Sequence, residues 1–228
     1  MTRVLDKGEL VLVDSMGSDL SVVQGARISN GAAIPDWRGA PDEKLIRFLA
    51  MNGHMSPFEH ATFKFYIKCP IFVAREWMRH RTFSYNEMSG RYKELPEEFY
   101  VPSAARLPVP GNKQSSEWVE EDSTASDYVM NTITNMSSAA FFAYRQMIKA
   151  GIAREMARMV LPVNTYTEFI VTGNFRNWMH FLELRNSDDA QYEIRVYAEA
   201  IGEVLAEKMP LSYEVLNEVS RGSKKKNG

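Results

Sequence analysis

Arg79-His-Arg-Thr-Phe-Ser-Tyr-Asn-Glu-Met-Ser-Gly-Arg91 is the stretch on which the reading of this chain turns. Three cationic or titratable side chains stand in a row, and Ser84, Asn86, Glu87, Ser89, Gly90 and Arg91 follow with hardly an apolar break. As a core element it would bury many polar groups without enough partners. It comes directly after Pro70-Ile-Phe-Val-Ala-Arg-Glu-Trp-Met78, an apolar segment that looks structural, and Pro70 to His80 reads as a helix with proline in its first turn. A dense polar cluster on a rigid apolar support is the usual way of positioning binding and catalytic groups.

Working outward, Phe63, Phe65, Ile67 and Cys69 alternate with polar residues and predict a strand leading into that helix. Glu9 to Val13 predicts another short strand, and a helix begins at Ser18-Asp19. Asn30-Gly31 marks a turn, and Pro41-Asp42-Glu43 starts a helix that stops near Asn52-Gly53. The four prolines between Pro96 and Asp122 predict a loop-rich segment frayed around Pro108-Val-Pro-Gly. Beyond it the chain is mostly helical: Tyr128 to Ala150, then a shorter helix through Val160 with Ile152, Met156, Met159 and Val160 on its apolar side. Thr165 to Thr172 predicts a strand, and Asn174 to Leu184 and Ala190 to Met209 predict helices, the last ended by Pro210. No repeat or linker divides the chain, so a single domain over residues 1–221 is expected, with a disordered tail over 222–228.

Composition narrows the function classes. The 228 residues are 45% hydrophobic and 25% charged, which suits a folded globular chain with a sizeable core. A formal net charge of -2 argues against a protein that coats nucleic acid, yet it allows a local basic pocket for one anionic ligand. Cys69 is the sole cysteine, so neither an intrachain disulfide nor a thiolate metal cluster is available, and a cytoplasmic setting is expected. No apolar run approaches the roughly 20 residues of a membrane span.

Four groups of residues could carry chemistry. In Arg79 to Arg91, the arginines suit phosphate because a guanidinium donates two parallel hydrogen bonds. Ser89-Gly90-Arg91 adds a glycine where backbone can approach a ligand closely. In Gly53-His54-Met-Ser-Pro-Phe-Glu59-His60, the histidines lack the one-face spacing of a metal site, so no metal is expected. His54 and Ser56 on a turn are ligand candidates, and Glu59-His60 could equally be a structural pair. Arg154 and Arg158 share a helix face, which solvation would also explain. Arg176 and His180 share another, although a lone histidine on such a helix is often a satisfied core residue, and Arg185 near a helix C-terminus suits the helix dipole.

Together these residues resemble the flavin-dependent thymidylate synthases, the ThyX family. The family stretch Arg-His-Arg-x-x-Ser-x-x-x-x-Ser is met by Arg79, His80, Arg81, Ser84 and Ser89, and Asn86, Glu87, Gly90, Arg91 and Tyr92 extend it. The likeness also takes in 54–60, 154–162, Asn164-x-Tyr166-Thr167 and 174–194, and is weakest over about 106–127. The resemblance implies an α/β (α+β) fold: a single domain with a central mixed or antiparallel sheet and flanking helices, assembled as a homotetramer with sites shared between protomers. It implies FAD as cofactor, dUMP as substrate, methylenetetrahydrofolate as carbon donor and NADPH as reductant. By the same resemblance FAD contacts fall on Ser56, Arg79, His80, Arg81, Glu87, Asn174, Arg176 and His180. Contacts to dUMP fall on Glu76, Trp77, Met78, Arg79, Glu87, Met88, Ser89, Gly90, Arg91, Arg158 and Arg185, and His54 lies near flavin and folate. Glu76 stands where many members carry glutamine, Asp189 where histidine is frequent, and His180 where some carry asparagine.

Uracil C5 must become nucleophilic before it accepts a one-carbon unit. Cys69 lies in an apolar strand and reads as packing, so no covalent enzyme nucleophile is expected. Ser89 lacks an adjacent base in the sequence and reads as a binding group. The catalytic role implied for Arg185 is to favour the N3-deprotonated base, since an opposite charge within about 4–6 Å lowers an acid's pKa by about 1–3 units. A nucleotide- or RNA-binding module using the basic motif is the competing class, and a flavoprotein of the same fold without synthase activity is the alternative within it.

Overall fold

The computed structural model describes residues 1–31, 34 and 36–227. A five-stranded antiparallel sheet has the order β1 (Thr2–Val4), β2 (Gly8–Met16), β3 (Thr62–Pro70), β7 (Tyr166–Asn174), β4 (Ser84–Glu87). The antiparallel form of the expected sheet is the one present. Phe63, Phe65, Ile67 and Cys69 of β3 and Phe169 and Val171 of β7 are buried, while Lys64, Tyr66, Lys68, Glu168 and Ile170 on the alternate positions are only half-buried. The helices α1 (Asp19–Arg27), α2 (Ala40–Met51), α3 (Ile71–Trp77), α6 (Phe175–Arg185), α7 (Tyr192–Lys208) and α8 (Pro210–Asn227) share one core with the buried face of the sheet.

β3 passes into α3 at Pro70, whose φ of -59° suits the entry to a helix. The first N–H groups of α3 would otherwise be orphans; Ile71 N donates to Thr165 O at 2.9 Å and Phe72 N to Val163 O at 3.0 Å. At the other end of the sheet β7 passes into α6, where the Asn174 side chain accepts from Asn177 N at 2.9 Å. The two helices meet where Trp77 stacks on Phe181 at 4.9 Å, and α6 rests on β3 where Phe65 lies edge-on to Trp178 at 5.0 Å.

The polar stretch that opens the sequence reading forms β4, an edge strand. Ser84, Asn86 and Glu87 stay exposed, as suits an edge. Phe83 and Tyr85 anchor it. The Phe83 ring packs 4.3 Å from that of Trp178. The Tyr85 hydroxyl lies 2.9 Å from Trp77 O and 3.0 Å from His80 O, closing the carbonyl end of α3.

Elsewhere the structure corrects the sequence reading. The segment expected to be a frayed loop folds as a hairpin, β5 (Arg106–Val109) with β6 (Asn112–Trp118), held where Arg106 stacks over Trp118 and Tyr192. Pro210 begins a helix rather than merely ending one: it takes the first position of α8, and Asp19 caps that helix from a distance by accepting from Leu211 N and Ser212 N at 3.0 and 2.9 Å. α8 continues to Asn227, through most of the stretch expected to be a disordered tail; Gly228 lies outside the described residues. The long helix α4 (Thr124–Lys149) packs with the one-turn helix α5 (Arg154–Ala157) and the 3-10 turn Arg158–Val160 in a second, smaller core of Phe99, Phe141, Tyr144 and Ala157. There Ile152, Met156, Met159 and Val160, the apolar side of the sequence reading, are exposed and only Ala157 of this turn is buried. No helix among the described residues is long and apolar enough to cross a membrane.

A Cβ at Gly173 would meet the Phe83 ring at 2.0 Å. Gly173→Ala should therefore displace Phe83 and cost about 1–3 kcal/mol. That corresponds to a fall in Tm of very roughly 2–10 °C in a chain of this size. An unchanged thermal melt would show that the ring has room to move.

Candidate active site

The C-terminal turns of α3 and α6 meet at Arg185. Its Nε donates to His80 Nε2 at 3.0 Å, Nη1 to Glu76 Oε2 at 2.9 Å, and Nη2 to the main-chain oxygen of Glu76 at 3.1 Å. Three of the five N–H donors of this guanidinium are thus held by α3 and its exit. The arrangement demands a neutral His80, because a ring nitrogen that accepts cannot carry a proton. Burial is the first cause that keeps it so; with the charge of Arg185 and the neighbouring His180 it lowers His80 from 6.5 to about 4. Desolvation also raises the Glu76 carboxyl, against the opposing pull of Arg185.

Next to this node runs a groove of about 790 Å³ lined by Thr82, Asn174, Arg176, His180, Met55 and Glu59, among others. Arg176 Nη1 donates to Glu59 Oε1 at 2.6 Å, so Glu59 pairs with α6 and not with His60. The His180 ring lies 6.3 Å from that of His80 and is exposed, not a satisfied core histidine. Arg79 and Arg81 are exposed on either side of His80, and neither is in an ion pair among the described residues. His54 and Ser56 are exposed but do not line the groove; the His54 ring stacks on Phe48 at 6.0 Å.

A second cluster gathers beyond β4. The side chain of Arg158 lies over Gly90, where an added Cβ would meet its Cδ at 3.3 Å. Arg91 Nε pairs with Glu155 at 3.0 Å, an exposed contact of little energetic weight. Ser89 Oγ accepts from Arg91 N at 3.3 Å, and no described histidine or carboxylate hydrogen-bonds it. Ser89, Gly90 and Arg91, consecutive in sequence, and the distant Arg158 therefore form one cationic shelf. Glu87 lies between the clusters, and Thr167 Oγ1 donates to its Oε1 at 2.6 Å.

These positions sharpen the expectations from sequence. Arg185 gathers Glu76 and His80 beside the groove, and Arg158 lies over Gly90. Trp77 is fully buried among Phe169, Phe181 and Tyr197, so its side chain cannot face a ligand and only its backbone remains for one. Met78 is half-buried against the core and Met88 is half-buried. Cys69 is fully buried, and desolvation raises its thiol well above the usual range, which excludes a thiolate nucleophile. Thr167 and Glu155, which set Glu87 and Arg91, lie inside motifs quoted from the sequence, but nothing in the sequence assigns them these partners.

The family model described as "Thymidylate synthase complementing protein" matches residues 11–211. The chain is similar to the flavin-dependent thymidylate synthase of Thermus thermophilus, with 48% identity over 215 residues, 94% of this chain and 77% of that protein. Its likeness to the enzyme of that name from Thermotoga neapolitana is 44% over 211 residues, 92% of this chain and 91% of that one. Among solved structures it resembles a UMP/dUMP methylase, PolB from Streptomyces cacaoi bound with 5-Br dUMP, at a TM-score of 0.87 and 37% identity over 96% of this chain and 99% of that one.

The buried His80 makes stability depend on pH. An unfolded histidine takes up its proton near 6.5 and the folded one near about 4. Between these values the unfolded chain binds more protons, so stability falls as the pH drops through that window. Thermal melts across it should slope less steeply for His80→Gln, which can still accept from Arg185 but does not titrate. Equal slopes would show that His80 is already charged.

Proposed function

The chain belongs to the thymidylate synthase complementing protein family, and from that premise we propose that it is a flavin-dependent thymidylate synthase that methylates dUMP to dTMP. The observation that carries this reading is Arg185, a guanidinium held by α3 beside a neutral His80, in a chain whose one cysteine is sealed in the core. An enzyme with no available thiolate must activate the pyrimidine without a cysteine adduct. Arg185 has two N–H donors to spare for the base, and a cation there favours the N3-deprotonated form, which places more electron density on C5. Ser89, Gly90, Arg91 and Arg158 are the natural phosphate shelf, two guanidiniums and a close backbone approach.

The residues fit a flavin dinucleotide. Arg79 and Arg81 are exposed cations suited to a pyrophosphate, and the groove beside them presents Asn174, Arg176 and His180. When bound, the flavin supplies the hydride chemistry that the side chains cannot. The reading includes FAD as the flavin, NADPH as reductant and methylenetetrahydrofolate as carbon donor. His54, Ser56 and Glu87 are the further candidates for contacts with these groups.

A homotetramer with sites shared between protomers belongs to the same reading. The exposed apolar side chains of the α4–α5 arm, Met136, Phe142, Met156 and Met159, support it. A base held at Arg185 of one protomer could then place its phosphate on the Arg158 shelf of another. The reading also places the protein in the cytoplasm.

The test is direct. The purified protein should be yellow and should form dTMP from dUMP, methylenetetrahydrofolate and NADPH; a colourless protein that takes up no FAD and forms no dTMP sinks the proposal. UMP should be assayed beside dUMP, because the structural relative is named for both.

Substitutions divide the roles. Arg158→Ala should weaken dUMP binding by roughly 10- to 150-fold, the loss of one charge-assisted contact of about 1.5–3 kcal/mol. Arg185→Lys should keep its flavin and lose turnover by about tenfold or more, since an ammonium cannot reproduce the planar fork. Ser89→Ala should retain measurable activity. Complete loss with dUMP still bound would make Ser89 a nucleophile after all.

A further inference from the structure

We propose that Glu76 is a positioning residue that both holds Arg185 in place and tempers the positive charge it presents to the nucleotide. The inference rests on the functional reading above, in which Arg185 faces the base. Glu76 engages Arg185 twice, through Oε2 to Nη1 at 2.9 Å and through its main-chain oxygen to Nη2 at 3.1 Å. The two contacts differ in kind. The main-chain oxygen is fixed by α3 whatever residue stands at this position. The carboxylate adds a full negative charge, in a place where the side chains of Arg185 and Glu76 are only 21% and 28% exposed.

A carboxamide of the same shape would accept the same hydrogen bond and leave the site one unit more positive. The position therefore sets how much net charge surrounds the substrate, independently of the geometry of Arg185. The other titratable groups facing the pair are His80 at the exit of α3, His180 on α6 and Glu193 at the start of α7. His80 is neutral in this arrangement, and Glu193 is already committed to Arg106 and Tyr100. Glu76 is thus the carboxylate that neutralises Arg185 directly. A dUMP molecule brings a phosphate dianion, and in its reactive form a negative base as well. The base is bound against this carboxylate and the phosphate is in its field, so the chain gives up some affinity and some base activation in return for a firmly oriented guanidinium.

Two substitutions in the FAD-loaded protein separate the parts. Glu76→Gln keeps the hydrogen bond and removes the charge. It should bind dUMP roughly 3- to 10-fold more tightly, and the ultraviolet difference spectrum of bound dUMP should show the base ionising at a pH about one unit lower. Glu76→Ala removes both hold and charge. It should retain the flavin spectrum while turnover falls about tenfold or more, because a 1 Å displacement of a positioned group has effects of that order. Wild-type affinity and ionisation in Glu76→Gln would overturn the charge role, and wild-type turnover in Glu76→Ala would overturn the positioning role, each leaving the functional reading intact. A wild-type protein that takes up FAD but no dUMP overturns the functional reading and this inference with it.

Discussion

The pairing of β3 with β7 is the constraint from which the rest of the structure follows. Nine residue positions of one strand face nine of the other, from Thr62 opposite Asn174 to Pro70 opposite Tyr166. Because the strands are antiparallel, α3 leaves β3 at one end of the pair and α6 leaves β7 at the other. Both helices pack on the same apolar face, so they run against each other and their C-terminal turns come together. A slip of one residue would turn Phe63, Phe65, Ile67 and Cys69 to the open face and remove the surface on which both helices rest. The register of two strands thereby fixes the place where Arg185 meets Glu76 and His80.

The aromatic core transmits that register to the polar groups. Trp77 is the last residue of α3, and its ring is locked against Phe169, Phe181 and Tyr197. Its neighbours Glu76, Met78, Arg79 and His80 are aimed by a side chain that itself meets no solvent. Phe83 and Tyr85 do the same for β4, one packing on Trp178 and the other bonding to the carbonyls that end α3. The functional stretch alternates between residues that fasten it and residues that face outward, which is how a run so polar stays ordered. Burial has a chemical consequence too: the apolar surroundings that seat His80 also keep it uncharged, and an uncharged His80 is what Arg185 requires.

Much of this was legible in the sequence because it rests on local signals. The alternation of Phe63 to Cys69, the proline that opens α3 and the turn at Asn30-Gly31 each follow from residue chemistry within a few positions. The hairpin β5–β6 was hidden because its stability comes from contacts far along the chain, with Arg106 held between Trp118 and Tyr192. The helix after Pro210 was hidden because proline ends one helix and begins another with equal ease. The apolar side of residues 152–160 was legible as a stripe, but periodicity does not say what covers it; here the stripe faces away from its own core.

For the site, the sequence by itself determined the inventory: arginines on a polar strap, a serine-glycine-arginine turn, further arginines at 158, 176 and 185, and a cysteine in an apolar strand. Residue type and motif order suffice for that, and for the family, since they do not depend on distance. What only the tertiary structure decided is which of these groups touch. It tied Arg185 to Glu76 and His80 across more than a hundred residues, laid Arg158 over Gly90 and withdrew the Trp77 side chain into the core. The reason is physical: hydrogen bonds and charge interactions act over a few ångströms, and the distance between side chains from separate helices is set by how the strands beneath them pair.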